Sequence, residues 1–209
     1  MKKYIWIFIL VFMIGVGLFL YKGTYSIEDD VSIKKDLILE YDSVNLEEEI
    51  YNYIDMIDDV LIPTSSYVMS DVLSDNYDFL TVFAINYILK NSDLFNQDIK
   101  VLDNYTYSDG YSNYSTNKYV NKDIIYKITD GVFNKRDYVI INDYLKINGD
   151  MVPLLLLYNY EFEMTIDKLE VNKFDDNYII NVNYKDNDLV YRYVFMRSND
   201  RLILKNLEV

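Results

Sequence analysis

The side chains that can do chemistry in this chain are carboxylates and phenols. The 209 residues include 34 Asp and Glu and 23 Tyr, but no His and no Cys. Without imidazole or thiol groups, the chain cannot form a Ser-His-Asp triad, a cysteine nucleophile, a structural zinc site or an iron–sulfur cluster. The glycines after residue 22 are isolated from one another, so they form neither a phosphate loop nor a dinucleotide-binding fingerprint. These absences exclude most familiar hydrolases and nucleotide-binding proteins.

Glu161 and Glu163 are the pair best spaced for acid–base catalysis. On a strand, alternate residues share a face and their Cβ atoms lie roughly 7 Å apart, which is near the separation of the two carboxyl groups of glycosidases. The competing interpretation is a solvated polar face. The pair therefore leaves a carboxylate-based hydrolase of envelope glycans as an alternative function, and no catalytic residue is assigned.

A cation site is a further alternative, because oxygen ligands are abundant. Asp175, Asp176 and Asn177 are adjacent, although a tight turn explains them equally well. The tract from Asp103 to Gly110 lacks the alternating acidic spacing of an EF-hand loop. We predict no metal and no cofactor.

Two short serine motifs match those of serine penicillin-binding proteins and β-lactamases. Ser32 and Lys35 fit S-x-x-K, and residues 74–76 fit S-D-N. The third motif, K-T-G, is missing and the chain is too short for that fold. We interpret both matches as coincidence.

Four tyrosines lie in a polar tract where a core does not obviously require them: Tyr105, Tyr107, Tyr111 and Tyr114. Aromatic rings in such a place can stack on sugars or contact a protein partner. The alternative is compositional, because Asn, Ile, Tyr, Lys and Asp are frequent throughout, as an AT-rich genome would produce. These four residues are the candidate binding site.

The N-terminus has the pattern of a membrane anchor. Tyr4 to Tyr21 carries no charged residue, and a helix of that length spans roughly 27 Å, close to the hydrocarbon core of a bilayer. A cleaved signal peptide is the competing interpretation, but the only weak cleavage pattern is Thr24 to Ser26. A buried core helix is the third. We predict a retained signal-anchor that contacts the lipid bilayer through residues 4–21.

Charge predicts the orientation of that anchor. Lys2 and Lys3 precede the span and Glu28 to Asp30 follow it, which places the N-terminus in the cytoplasm and the rest outside. Residues 1–22 hold three of the 20 basic residues and no acid, so the remainder has 17 basic against 34 acidic side chains, a net charge of −17. Such an acidic domain repels phosphate backbones, which argues against nucleic-acid binding.

Three helices are expected after a spacer over residues 23–44, in which Asp36 to Glu40 is a short strand or helix. The first begins after Asn45, carries Ile50, Ile54, Ile57 and Leu61 at helical spacing and ends at Pro63. The second is capped by Ser74 or Asp75, and its apolar stripe runs from Phe79 to Ile88. Residues 91–120 are expected to be a long irregular connection, with short strands as an alternative. The third begins at Asn121 and carries Ile124, Ile125, Ile128 and Val132.

The period then changes to that of strands. Asn148-Gly149 indicates a hairpin between 144–147 and the run from Met151, with Pro153 typical of an edge strand. The other strands are expected at 138–141, 158–167, 178–184, 189–197 and 202–208. Helices followed by an antiparallel meander predict an α+β domain over residues 45–209, behind the leader and anchor of residues 1–22 and the spacer.

In plan, the chain resembles uncharacterised single-pass membrane-anchored proteins of AT-rich Gram-positive-type bacteria. The resemblance rests on the two-lysine leader, the apolar segment, the helical run LSDNYDFLTVFAINYILKN at 73–91 and the strands of 178–209. It implies an anchored outer-face domain of unassigned function and transfers no site residue. The order of helices before sheet is also similar to that of cystatin-like and NTF2-like folds. We therefore expect a membrane-tethered extracytoplasmic binding module for an envelope protein or glycan, with a structural or assembly subunit as another alternative.

Overall fold

The fold is known from a computed structural model, which describes residues 37–40, 45–68, 72–140, 145–156 and 163–209. The described residues belong to one compact unit, Leu37–Val209. The expected anchor at 4–21 lies outside them. No helix in the described ranges is long and apolar enough to cross a membrane.

The unit is an α+β domain with antiparallel sheets, as the sequence predicts. The described residues form three helices, α1 (Leu46–Val68), α2 (Tyr77–Lys90) and α3 (Lys122–Phe133). They form eight strands, β1 (Leu39–Glu40), β2 (Lys100–Ser108), β3 (Asn113–Asn121), β4 (Met151–Pro153), β5 (Ile166–Phe174), β6 (Asn177–Tyr184), β7 (Val190–Ser198) and β8 (Arg201–Glu208). The larger sheet has the order β1-β8-β7-β6-β5 and the smaller has the order β2-β3-β4.

Helix α1 packs its isoleucine stripe into the core. Ile50, Ile54, Ile57 and Leu61 are all fully buried, as their spacing predicts. The Tyr53 ring meets Phe195 of β7 edge-on, with the centroids 6.1 Å apart, so the helix lies against the larger sheet.

The prediction that Pro63 ends this helix was wrong, because α1 continues to Val68. Proline removes one backbone donor and usually breaks or kinks a helix. Here the residues around it, Ile62 and Thr64, are buried, so packing favours continuation. The hydroxyls of Ser65 and Ser66 also donate to the carbonyl of Ile62 (2.8 and 3.0 Å).

Helix α2 is buried on nearly all sides, from Phe79 to Ile88. Its cap is Asn76, whose side chain accepts a hydrogen bond from the amide of Phe79 (2.9 Å). The predicted caps, Ser74 and Asp75, lie instead in a 3-10 turn at Leu73–Asp75 that precedes the helix. The cap was therefore misplaced by one or two residues, while the buried stripe is confirmed.

Helix α3 begins after Asn121, as predicted, and the Asn121 side chain accepts from the amide of Asp123 (2.9 Å). Its Phe133 ring packs edge-on against Phe83 of α2, with the centroids 5.2 Å apart. Gly131 faces the chain at Leu37, where a Cβ would lie 2.5 Å from the Leu37 carbonyl oxygen. Leu37 and Leu39 are buried, so the core includes the end of the segment expected as a spacer.

The expectation of an irregular connection over 91–120 was wrong for most of its length. Residues 91–98 form turns, but β2 and β3 are two nine-residue strands joined as a hairpin. Most of their side chains are exposed, so the tract lacks the apolar alternation that marks a half-buried strand. Sequence had offered short strands only as an alternative.

Other strand boundaries also differ from expectation. Residues 138–140 and 145–147 are not in strands. The chain does turn at Gly149, but β4 pairs with β3 and not with the expected strand at 144–147. Pro153 does lie on an edge strand. Of the strand expected at 158–167, residues 158–162 lie outside the described ranges, 163–165 are not in a strand, and β5 begins at Ile166.

The four-stranded C-terminal meander is otherwise confirmed. Strands β5 to β8 pair antiparallel in chain order, and β1 adds to β8. Asp175, Asp186 and Asn199 occupy positive φ angles of 51°, 60° and 58° at the three turns. Asp and Asn tolerate this left-handed conformation better than other side chains, which explains how the turns form without glycine.

We predict that Gly131→Ala destabilises the fold, although alanine favours helices by about 1 kcal/mol over glycine. The added methyl group meets a backbone oxygen that cannot rotate away. Such overpacking costs about 1–3 kcal/mol, so the free energy of unfolding should fall. Urea unfolding of the full chain in a non-ionic detergent measures it. Lys127→Ala, at an exposed position of the same helix, is the control and should change stability by less than about 0.5 kcal/mol.

Candidate functional site

The predicted binding tyrosines all lie on the β2–β3 hairpin. In the register of the two strands, Tyr107 is opposite Tyr114 and Tyr105 is opposite Thr116. Between Val101 and Tyr105, β2 advances four residues while β3 advances only two, so β2 bulges. Within the described sheet β2 is an edge strand, because the order is β2-β3-β4.

Three of the four tyrosines share one face of this hairpin. Tyr105 and Tyr107 alternate along β2, and residues directly opposite each other lie on the same side of a sheet. The rings of Tyr107 and Tyr114 stack, with centroids 6.2 Å apart and planes at 24°. All three are half-buried and pack against the hydrophobic core. The structure therefore brings these three together as one aromatic surface that is anchored to the domain.

The fourth, Tyr111, stands apart at the tip of the hairpin. It is 99 % exposed, the most exposed large hydrophobic side chain among the described residues. It is therefore displayed to solvent, whereas the others form a base beneath it.

Asp109 holds the backbone of the tip in place. Its Oδ1 accepts hydrogen bonds from the amides of Tyr111 (2.8 Å) and Ser112 (2.7 Å). Its Oδ2 accepts from the hydroxyl of Tyr114 (3.0 Å). Backbone hydrogen bonds from Ser112 and Tyr111 hold the pKa of this carboxyl below its usual range. Gly110 supplies the positive φ of 89° that the turn requires.

The hairpin differs in charge from the rest of the chain. Residues 100–121 contain two lysines and two aspartates, whereas the whole chain has a net charge of −14. Every residue from 103 to 117 is Tyr, Ser, Asn, Thr, Gly or Asp. Tyr, Ser, Gly and Asn are also the residues enriched in antibody binding loops, where rigid phenols supply contact area and small polar groups supply hydrogen bonds.

Two parts of this candidate site were not predicted from the sequence. The dipeptide Asp109-Gly110 is a strong hairpin signal and would have predicted the turn. Tyr119 was also missed: it is buried, and its hydroxyl donates to the carbonyl of Asp103 within the bulge (3.1 Å). No periodic signal identifies a side chain that bonds to an irregular part of a strand.

The other candidate residues do not form a site in the described structure. Glu163 is exposed and precedes β5, and Glu161 lies outside the described residues. Asp175 and Asp176 form the tight turn between β5 and β6. No group of three or more Asp, Glu, His or Cys within the described ranges is arranged to hold a metal ion. Ser74 is buried in the 3-10 turn, and Ser32 and Lys35 lie outside the described chain.

Comparison with family models, curated proteins and solved structures gives no match for this chain. The function must therefore be inferred from the sequence and the geometry.

We predict that Asp109→Ala loosens the tip without unfolding the domain. The substitution removes three accepted hydrogen bonds from an exposed turn, while the aromatic base packs against the core. Hydrogen exchange at the amides of Tyr111 and Ser112 should accelerate at least about tenfold, because local opening of an exposed turn needs little free energy. Asp103→Ala, on the same hairpin, is the control and should leave these amides unchanged. Equal acceleration in both variants would contradict the role of Asp109.

Proposed function

We propose that this protein is a membrane-tethered, extracytoplasmic binding module whose contact surface is the β2–β3 hairpin. The observation that carries the proposal is the display of the fully exposed Tyr111 on a tip fixed by Asp109, above the aromatic surface of Tyr105, Tyr107 and Tyr114. A large exposed phenol on an ordered backbone gains contact area with little loss of conformational entropy on binding.

The hairpin has no net charge, and this bears on what it binds. An envelope protein or a glycan fits a surface of phenols, hydroxyls and amides, because both present apolar faces and hydrogen-bonding groups together. Nucleic acid does not fit it, since few cations are available to neutralise phosphates. We propose an envelope protein or glycan as the partner.

The tether is proposed from the sequence alone. The uncharged run from Tyr4 to Tyr21 is long enough to cross a bilayer, and the lysines before it favour a cytoplasmic N-terminus. This topology puts the acidic unit of residues 37–209 on the outer side of a cell membrane. It also fits the group of single-pass anchored proteins that the chain resembles.

We also propose that the domain is of the cystatin-like or NTF2-like kind. Support comes from the order of helices before an antiparallel meander and from α1 packed on one face of the larger sheet. This likeness concerns the scaffold alone and does not imply a ligand.

A photo-crosslinking amino acid at position 111 should capture the partner in growing cells. The matched control is position 51 on α1, where Tyr51 is 37 % exposed and distant in sequence from the hairpin. We expect a discrete adduct, read by gel mobility and mass spectrometry, at position 111 and not at position 51. Identical patterns at both positions would mean that the hairpin is not a selective contact surface.

Tyr111→Ala should weaken binding to the captured partner at least about tenfold, the effect of losing one aromatic anchor from an interface. The midpoint of urea unfolding should stay nearly unchanged, because the side chain has almost no contacts to lose. Tyr51→Ala, which removes an exposed phenol from α1, is the control and should keep the affinity. Retained affinity in Tyr111→Ala would rule out the tip as an anchor.

Topology can be tested cleanly because the natural chain has no cysteine. We predict that Ser112→Cys, at the exposed tip, reacts with a membrane-impermeant maleimide in intact cells, whereas a cysteine inserted directly after Met1, which keeps both orienting lysines, reacts only after the cells are lysed. Labelling is read by the shift in mass on a gel. Protection of position 112 in intact cells would place the domain on the other side of the membrane and end this part of the proposal.

A further inference from the structure

Helix α1 carries two adjacent aspartates in very different surroundings. Asp59 is compensated: its Oδ2 pairs with Lys90 of α2, and its Oδ1 accepts from the amide of Met164 (2.8 Å). Asp58 is fully buried beneath it. The Asp59 carboxyl therefore reaches water and a lysine, whereas the Asp58 carboxyl is shut off from water and, within the described chain, from any cation.

Asp58 has no cationic partner among the described residues. Its Oδ1 accepts from the amide of Asp59 (2.6 Å), but its Oδ2 has no hydrogen bond of normal geometry within the described chain. No lysine or arginine of the described residues pairs with it. A buried charge without a partner is expensive, and such a group usually becomes neutral instead.

The groups facing Asp58 from the sheet are phenols. The Tyr184 hydroxyl of β6 interacts with the carboxyl and forms a short hydrogen bond (2.5 Å) with the Tyr193 hydroxyl of β7. Tyr191 of β7 lies against Tyr184, with the ring centroids 5.2 Å apart. Burial raises the pKa of both Tyr184 and Tyr193, so these two hydroxyls stay uncharged at neutral pH.

Among the described residues, the charged groups around Asp58 come from α1 and α2. Asp55 and Asp59 of α1 are acidic and repel a second negative charge. Lys90 of α2 is already engaged with Asp59. Burial raises the pKa of Asp58 to about 8, the negative charges of Asp59 and Asp55 add to the rise, and the Asp59 amide and the nearby Tyr184 hydroxyl oppose it.

We propose that Asp58 is a proton-binding site, and that its proton controls how firmly α1 packs against strands β6 and β7 across neutral pH. With the proton bound, the carboxyl is a neutral group that fits the phenol-lined interior. When the proton leaves, an uncompensated negative charge lies between the helix and the sheet.

The composition of the chain makes this site unusually easy to isolate. Histidine is the side chain whose ordinary pKa lies between 5 and 8, and cysteine titrates just above, but the chain contains neither. Apart from the terminal amine, a proton taken up near neutral pH therefore has few other sites. The proposal is independent of the hairpin and of the proposed function.

The sign of the pH dependence follows from the raised pKa. In the unfolded chain Asp58 ionises near pH 3.8, whereas in the fold it does so near pH 8. Between those values the folded state holds one more proton than the unfolded state, so stability falls as pH rises and then levels off above about pH 8. This is opposite to the behaviour of an aspartate stabilised by a salt bridge.

The test is urea unfolding of the full chain in a non-ionic detergent between pH 5.5 and 9. The unfolding equilibrium constant should rise about tenfold per pH unit through pH 6 and 7, about fiftyfold in all between pH 6 and 8, and then flatten. Asp58→Asn, a neutral isostere, should abolish this slope. Asp93→Asn, at an exposed position, should keep it. A flat wild-type profile, or the same slope in Asp58→Asn, would overturn the proposal.

A second variant tests the mechanism by a shift in pH. Tyr184→Phe removes the hydroxyl that lowers the pKa of Asp58, so the profile should level off at higher pH; an unmoved profile counts against contact between the two groups. If Asp58→Asn does not fold, the ¹³C carboxyl resonance of Asp58 in the wild-type protein decides. Titration near pH 8 supports the proposal, and titration near pH 4 refutes it.

Discussion

The packing of α1 against the larger sheet is the contact on which the folded unit depends. The isoleucine stripe of the helix and the inward phenyl and phenol rings of β6 and β7 form a continuous interior. Apolar burial of this kind is the main favourable term in folding. The same face of the helix also carries Asp58, so the contact that stabilises the domain includes its least favourable polar group. Lys90 and the Met164 amide compensate the neighbouring Asp59, which ties α1 to α2 and to the chain entering β5.

The hairpin depends much less on that interior. Its base rests on the core through Tyr105, Tyr107 and Tyr114, but its tip is ordered by hydrogen bonds within the turn itself. Local order means that the tip residues can change without loss of the domain. Binding surfaces are commonly built in this way, with variable loops held by a rigid scaffold.

The sequence predicted the helices and strands that bury regularly spaced apolar side chains. It did not predict segments whose side chains are exposed or irregularly buried. The stripes of α1 and α3 and the alternation of β6 were readable because each buries one regular face, and α2 was readable because its apolar run is nearly continuous. The end of α1 was not, because the packing around Pro63 overrides the usual effect of proline. The hairpin was missed because exposed strands have no apolar period, although Asp109-Gly110 marked its turn. The first strand of the meander was misplaced because polar and apolar residues alternate before Ile166 as well as after it. The pattern therefore does not mark the residue at which β5 begins.

For the candidate sites, the sequence named residues but did not show how they lie relative to one another. It identified the four tyrosines, yet only the register of β2 and β3 separates the three at the base from Tyr111. Asp58 was missed despite a visible signal: it lies four residues after Ile54 and three before Leu61, on the apolar stripe itself. An acid in such a position is either paired with a cation or neutral, and only the three-dimensional contacts decide which.

The bulge in β2 has a consequence for how other molecules meet this protein. A long regular edge strand invites another chain to add to the sheet, and this leads to aggregation. Two extra residues near Asp103 break the even spacing of amides and carbonyls along the outer edge, and bulges twist an edge away from further pairing. The bulge therefore disfavours pairing of β2 with the edge strand of another copy of the chain.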